Sequence, residues 1–135
     1  MGYGVVCGNM VSEKRNKGMK IQTLTIPEIP ESLNVILAMH YMARSKYRNA
    51  LQERIYYEAR QQKIKKVKRC KLFFTIHFTT NRYRDIDNFL MVKYMVDSLR
   101  YAGIIPDDDS ETVQAITVDF AYGDDPRTDI VIEEV

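Results

Sequence analysis

Between residues 70 and 78 the side chains alternate. Cys70, Leu72, Phe74, Ile76 and Phe78 fall on one side, and Lys71, Phe73, Thr75 and His77 on the other. A period of two places alternate residues on opposite faces of a strand, so residues 69–79 are expected to form a strand with one well-buried face. A similar pattern from Lys20 to Ile26, with Ile21, Leu24 and Ile26 among polar residues, predicts the first strand, ended by Pro27 and Pro30. Thr112 to Ala121 predicts a third strand, in which Ile116, Val118 and Phe120 alternate out of phase with Val113 and Ala115. A turn at Asp124-Asp125-Pro126 then leads to a short closing strand over Ile130 to Ile132.

Elsewhere the period lengthens. Ser32 to Gln62 contains no Pro or Gly, Ser32 is a suitable cap, and Leu51, Ile55 and Ala59 recur every four residues. A helix over roughly 44–62 follows, while 33–43 is open between helix and loop. Asp87 or Asn88 is expected to cap another helix of three to four turns that stops at Gly103. Phe89, Val92, Val96 and Leu99 form its apolar stripe. Leu90, Met91, Tyr94 and Met95 extend that stripe to further faces, so the helix is expected to be covered on more than one side, by a partner subunit among other ways. The order β-α-β-α-β-β implies an α+β fold with a mixed sheet and two main helices. Residues 1–18 show no period and read as a loose arm before a single folded domain over 19–135.

A length of 135 residues suits one domain. Cys7 and Cys70 match no metal spacing and suggest a reducing compartment. No apolar run approaches membrane-spanning length and the first residues lack a secretory core, so a cytoplasmic protein without membrane contact is expected. The net charge of +2 conceals a division: residues 1–84 hold 17 Lys and Arg against five Asp and Glu, and residues 85–135 hold three against 13. A basic half points to a polyanionic partner. An acidic half can repel that partner or hold the divalent cations it needs.

Two acidic segments carry the candidate chemistry. In an extended segment, Asp85 and Asp87 would point to the same side about 6–7 Å apart, a spacing that suits hard cations. Oxygen donors with no Cys or paired His nearby favour Mg²⁺, with Mn²⁺ as a substitute, over zinc. Asp107-Asp108-Asp109 lies beyond a helix expected to run about 22 Å. Simpler readings stand beside these: Asp87 as a helix cap, and 107–111 as a solvated turn. Lys93 is either the i,i+4 partner of Asp97 or a cation for a scissile phosphate. Lys63, Lys65, Lys66, Lys68, Arg69 and Lys71, with Arg82 and Arg84, are the candidate DNA-binding residues. His40 and His77 show no ligand spacing. Tyr41, Tyr47, Tyr56 and Tyr57 are available for base stacking, although packing or subunit contact is the simpler use.

Taken together, Arg84-Asp85-Ile86-Asp87-Asn88, Lys93, Asp97, Leu99, Ala102-Gly103, then Pro106-Asp107-Asp108-Asp109-Ser110 and Val113 resemble the RusA family of Holliday-junction resolvases, small nucleases common in prophages. The likeness runs from about Ile21 to the C-terminus and includes Pro27, Pro30 and Ser32-Leu33-Asn34. It implies a homodimer that cuts four-way junction DNA by paired symmetric nicks in recombination and repair. It also implies catalytic roles for Asp85, Asp87, Lys93 and Asp108, and a metal held by Asp85, Asp87, Asp108 and Asp109. The third catalytic aspartate falls at Asp108 counting from Gly103 and at Asp109 aligning on Ser110; Asp108 is preferred. The Asp87–Lys93 interval is two residues longer than the family pattern. That departure sustains the alternative of a catalytically silent branched-DNA-binding protein of the same fold.

Overall fold

The alternation at 70–78 becomes the strand that organises the molecule. The computed structural model describes residues 20–80, 84 and 92–135. Its sheet has four strands, β1 (Ile21–Ile26), β2 (Cys70–Phe78), β3 (Val113–Tyr122) and β4 (Arg127–Glu134), in the spatial order β1-β4-β2-β3. Strand β4 is antiparallel to β1 and β2, whereas β2 and β3 run parallel. Three helices accompany the sheet: α1 (Leu33–Ala38), α2 (Tyr41–Gln61) and α3 (Lys93–Tyr101). A parallel pair needs a crossover connection, and the one from β2 to β3 carries α3. The α+β class, the mixed sheet and the order of elements are those expected from the sequence.

The sheet buries one face against the helices. Leu24, Ile26, Leu72, Phe74, Ile130 and Ile132 from the strands meet Leu51, Ile55 and Ala59 of α2 and Met95, Val96 and Leu99 of α3 in one core. The phase break in β3 has a local cause. Cys70 pairs with Val113 but Lys71 pairs with Ala115, so Gln114 is an extra residue, a bulge. The bulge lets Val113 share the core side with Ile116, Val118 and Phe120 despite its odd spacing. Strand β4 is longer than expected: Thr128, Ile130 and Ile132 face the helices, and Asp129, Val131 and Glu133 the other side.

Region 33–43, open from sequence, holds α1 and the start of α2. Ser32 caps α1 by accepting from Val35 N at 3.4 Å, and His40 caps α2, its Nδ1 accepting from Met42 N at 3.2 Å. The described apolar residues of α3 pack within the chain. Met95, Val96 and Leu99 enter the core, while Tyr94 lies partly buried against Tyr47 with ring centroids 6.0 Å apart. Among the described residues, α3 begins at Lys93. The expected start at Asp87 or Asn88, the stripe residues Phe89, Leu90 and Met91, and the arm 1–18 lie outside the described residues. No described helix is long and apolar enough to cross a membrane.

Candidate functional site

The basic connection between α2 and β2 is fixed by amide clamps. Gln22 on β1 donates to Lys65 O at 3.0 Å and accepts from Lys65 N at 2.7 Å. Gln62 at the end of α2 returns the pattern, accepting from Thr25 N at 2.9 Å and donating to Thr25 O at 2.7 Å. Together they hold Lys63 and Lys65 beside the edge strand and occupy backbone groups that an edge leaves open. Lys63 takes a left-handed backbone, with φ of 57°.

A second loop, after α3, is laced to the first. Gly103 reverses the chain with φ of +79°, a conformation open to glycine. Ile104 O then accepts from Val67 N at 2.9 Å, Glu111 O from Arg69 Nε at 3.3 Å, and Thr112 O from Cys70 N at 2.8 Å. These bonds join the most basic loop of the chain to the most acidic one. The junction is a groove lined by Lys66, Lys68, Arg100, Gly103, Pro106 and Glu134, among others. Pro106 leads directly into Asp107. Arg100 belongs to this surface although no sequence pattern points to it, because its place depends on α3 ending beside the 62–69 connection.

The three aspartates of the turn have different roles. Asp107 accepts from Asp108 N at 2.7 Å. Asp109 accepts from Glu111 N at 3.2 Å and Thr112 N at 2.9 Å. Bonds to a carboxylate favour its charged form, and those from Thr112, followed by Glu111, hold the Asp109 carboxyl below its ordinary range. The Asp108 carboxylate accepts no hydrogen bond among the described residues and stands exposed. A lowered folded pKa stabilises the fold above the unfolded pKa, near 4, and that contribution is lost as pH falls through the folded value. Asp109→Ala is therefore expected to lower the urea midpoint slightly at pH 7 and to reduce the further loss between about pH 4 and pH 2. Equal acid sensitivity in both proteins would remove this role from Asp109.

The remaining site residues are dispersed. Lys93 is exposed at the start of α3, with Nζ 3.3 Å from Asp97 Oδ2, so the ion-pair reading is realised. The acidic turn follows the other end of α3, after roughly 12 Å of helix rise. Arg84 lies beyond the opposite end of β2, donating twice to Thr80 at 2.8 Å and placing its guanidinium 3.9 Å from the Phe78 ring centroid. Lys71 is on the sheet face away from the helices, paired between Glu133 and Ala115. Asp85, Asp87 and Arg82 lie outside the described residues.

His77 and Cys70 have structural surroundings. His77 Nε2 lies 2.9 Å from Asp129 Oδ2, whose other oxygen accepts from Thr25 Oγ1 at 2.9 Å. Burial pushes the Cys70 thiol up to about 11. Among the described residues no group of three His, Cys, Asp or Glu side chains is placed to hold a metal. Asp108 supplies one unclaimed oxygen donor of the kind Mg²⁺ takes, and any fuller donor set draws on residues beyond those described.

A family model described as Endodeoxyribonuclease RusA matches residues 14–133. No curated protein matches the sequence.

Proposed function

The chain belongs to the RusA endodeoxyribonuclease family, and from that premise we propose that it is a cytoplasmic, Mg²⁺-dependent resolvase that cuts four-way DNA junctions with paired symmetric nicks. The observation that carries the reading is the junction of the two loops, where the exposed Asp108 follows two residues after Pro106 of a groove lined by Lys66, Lys68 and Arg100. Phosphate-binding cations beside an acidic turn suit a polyanion brought to a metal.

Asp85, Asp87 and Asp108 are the proposed holders of the metal, with Asp109 adjoining. When bound, Mg²⁺ lowers the pKa of a coordinated water and stabilises charge on the phosphate. Lys93 would offset negative charge on the reacting phosphate, leaving Asp97 to do so. Lys63, Lys65, Lys66, Lys68, Arg69 and Lys71, with Arg82 and Arg84, would grip the backbone of the arms. Two nicks related by symmetry need two sites, so a homodimer is part of the proposal. Val35 and Leu37 on α1 and Tyr41 and Met42 at the start of α2 are exposed apolar positions available to it.

The test incubates the protein with a synthetic four-way junction and with a linear duplex of the same sequence, in Mg²⁺ or EDTA, and reads native and denaturing gels. Paired nicks in the junction alone, dependent on Mg²⁺, are expected. Binding without cutting would favour the silent binding protein, which the lengthened Asp87–Lys93 interval keeps in view. Asp108→Asn is expected to reduce cutting at least about a hundredfold, the scale of losing one preorganised charged group, while Asp109→Asn keeps most activity. The reverse ranking would move the third catalytic position to Asp109.

A further inference from the structure

A second groove adjoins the first and shares Lys66 with it. It is lined by Tyr56, Arg60, Lys63, Lys65, Lys66 and the Ala102–Ile104 turn, among others. Its outer end is aromatic. Tyr56 and Tyr101 are 40% and 54% exposed, and their ring centroids lie 6.3 Å apart in an edge-on arrangement. Both rings are pinned by their hydroxyls: Arg60 Nη1 donates to Tyr56 Oη at 3.2 Å, and Tyr101 Oη donates to Glu53 Oε2 at 3.1 Å. The Arg60 guanidinium also lies 5.5 Å from the Tyr56 ring centroid.

Scattered exposed tyrosines are ordinary. These two differ because their tips are held by the protein, so little side-chain freedom remains to be lost on contact. They also stand at the head of a basic trough that leads through Lys66 to Arg100 and Pro106. Phosphate-binding cations in a groove, ended by rings able to take a base on their faces, are the parts of a single-strand binding track. A duplex end keeps its bases stacked and offers such rings little.

We propose that the Tyr56–Tyr101 platform and the Arg60–Lys66 trough bind an unpaired nucleic-acid strand, stacking one of its bases and directing its backbone toward the Asp107–Asp109 turn. The proposal rests on the nuclease reading for its purpose, because an unpaired strand at a branch point is then guided to the cutting site.

The experiment uses the full chain in EDTA at low salt and follows fluorescence anisotropy of a labelled oligothymidylate of about a dozen nucleotides and of an abasic strand of equal length. The native protein is expected to bind the abasic strand about tenfold more weakly, since only the bases are missing. Y56A/Y101A should lose a similar factor on oligothymidylate and little on the abasic strand, and Y56F/Y101F should fall between native and Y56A/Y101A, because Phe retains the ring face but loses the hydroxyl bonds that hold it. K66Q should weaken both strands and lower the salt dependence. Equal binding of the two strands by the native protein would overturn the proposal without any variant. So would a Y56A/Y101A protein of native affinity, or one whose sedimentation shows a lost subunit contact. Junction cutting in Mg²⁺ is scored separately, so failure of the platform leaves the resolvase reading intact, and failure of cutting leaves strand binding measurable.

Discussion

Asp87→Asn is expected to abolish junction cleavage while the junction is still bound, as tightly as before or more so. The substitution keeps the size of the side chain and removes a charge that is proposed to hold Mg²⁺. A metal acting on a phosphoryl oxygen supplies several kcal/mol of transition-state stabilisation, so the loss is about a thousandfold or more in rate. Binding responds in the opposite sense, because a carboxylate facing a phosphate backbone repels it when no cation intervenes. Gel shift in EDTA and single-turnover cutting in Mg²⁺ read the two effects separately. A mutant that cuts at the native rate removes Asp87 from the reaction. One that neither cuts nor binds assigns Asp87 to the fold, a result that thermal melting of the same protein would expose.

Phe74→Ala is expected to be among the most damaging substitutions to stability. Phe74 is 1% exposed, in the middle of β2 and at the centre of the core. Truncating a buried Phe to Ala costs about 3–5 kcal/mol through lost transfer energy and the cavity left behind, against a total of about 5–15 kcal/mol for a domain. Phe73, one residue earlier, points to the opposite face and is only partly buried, so Phe73→Ala should cost clearly less. Urea midpoints for the two variants check the ranking, and equal losses would mean that both faces of β2 are covered to the same degree.

Strand β2 was legible because its two faces differ at every step, and β1 because Pro27 marks its end. The extent of β4 was not: Asp129 and Glu133 interrupt its apolar signal, yet they occupy the sheet face away from the helices, where a polar residue does not break the strand. The phase break in β3 was visible as an anomaly, but only the pairing with β2 identifies Gln114 as the inserted residue. For α3, Met95, Val96 and Leu99 meet α2 and the sheet as the stripe implies, while Phe89, Leu90 and Met91, which widened the apolar character, lie outside the described residues.

At the candidate site, the acidic turn and the basic run were each evident as composition, and their meeting was not. Sequence distance hides it: Val67 and Ile104, or Arg69 and Glu111, become neighbours only once β2 and β3 pair side by side. Arg100 was missed for the same reason. The separate roles of Asp107, Asp108 and Asp109 depend on which carboxylate bends back to the turn's own N–H groups, a matter of backbone conformation that three identical side chains cannot signal.

The position of β4 carries a consequence for how the protein is made. The strand nearest the end of the sequence is an interior one, pairing Ile21 with Glu133 on one side and Cys70 with Glu134 on the other. Contacts that join distant parts of a chain are the slow ones to form. Until residues 127–134 are in place, β1 has no neighbour in the sheet and β2 has only β3. β1 therefore joins the sheet only after β4 has paired, a late and long-range step, whereas the bonds that Val67, Arg69 and Cys70 make to the loop after α3 need only β2 and β3 side by side.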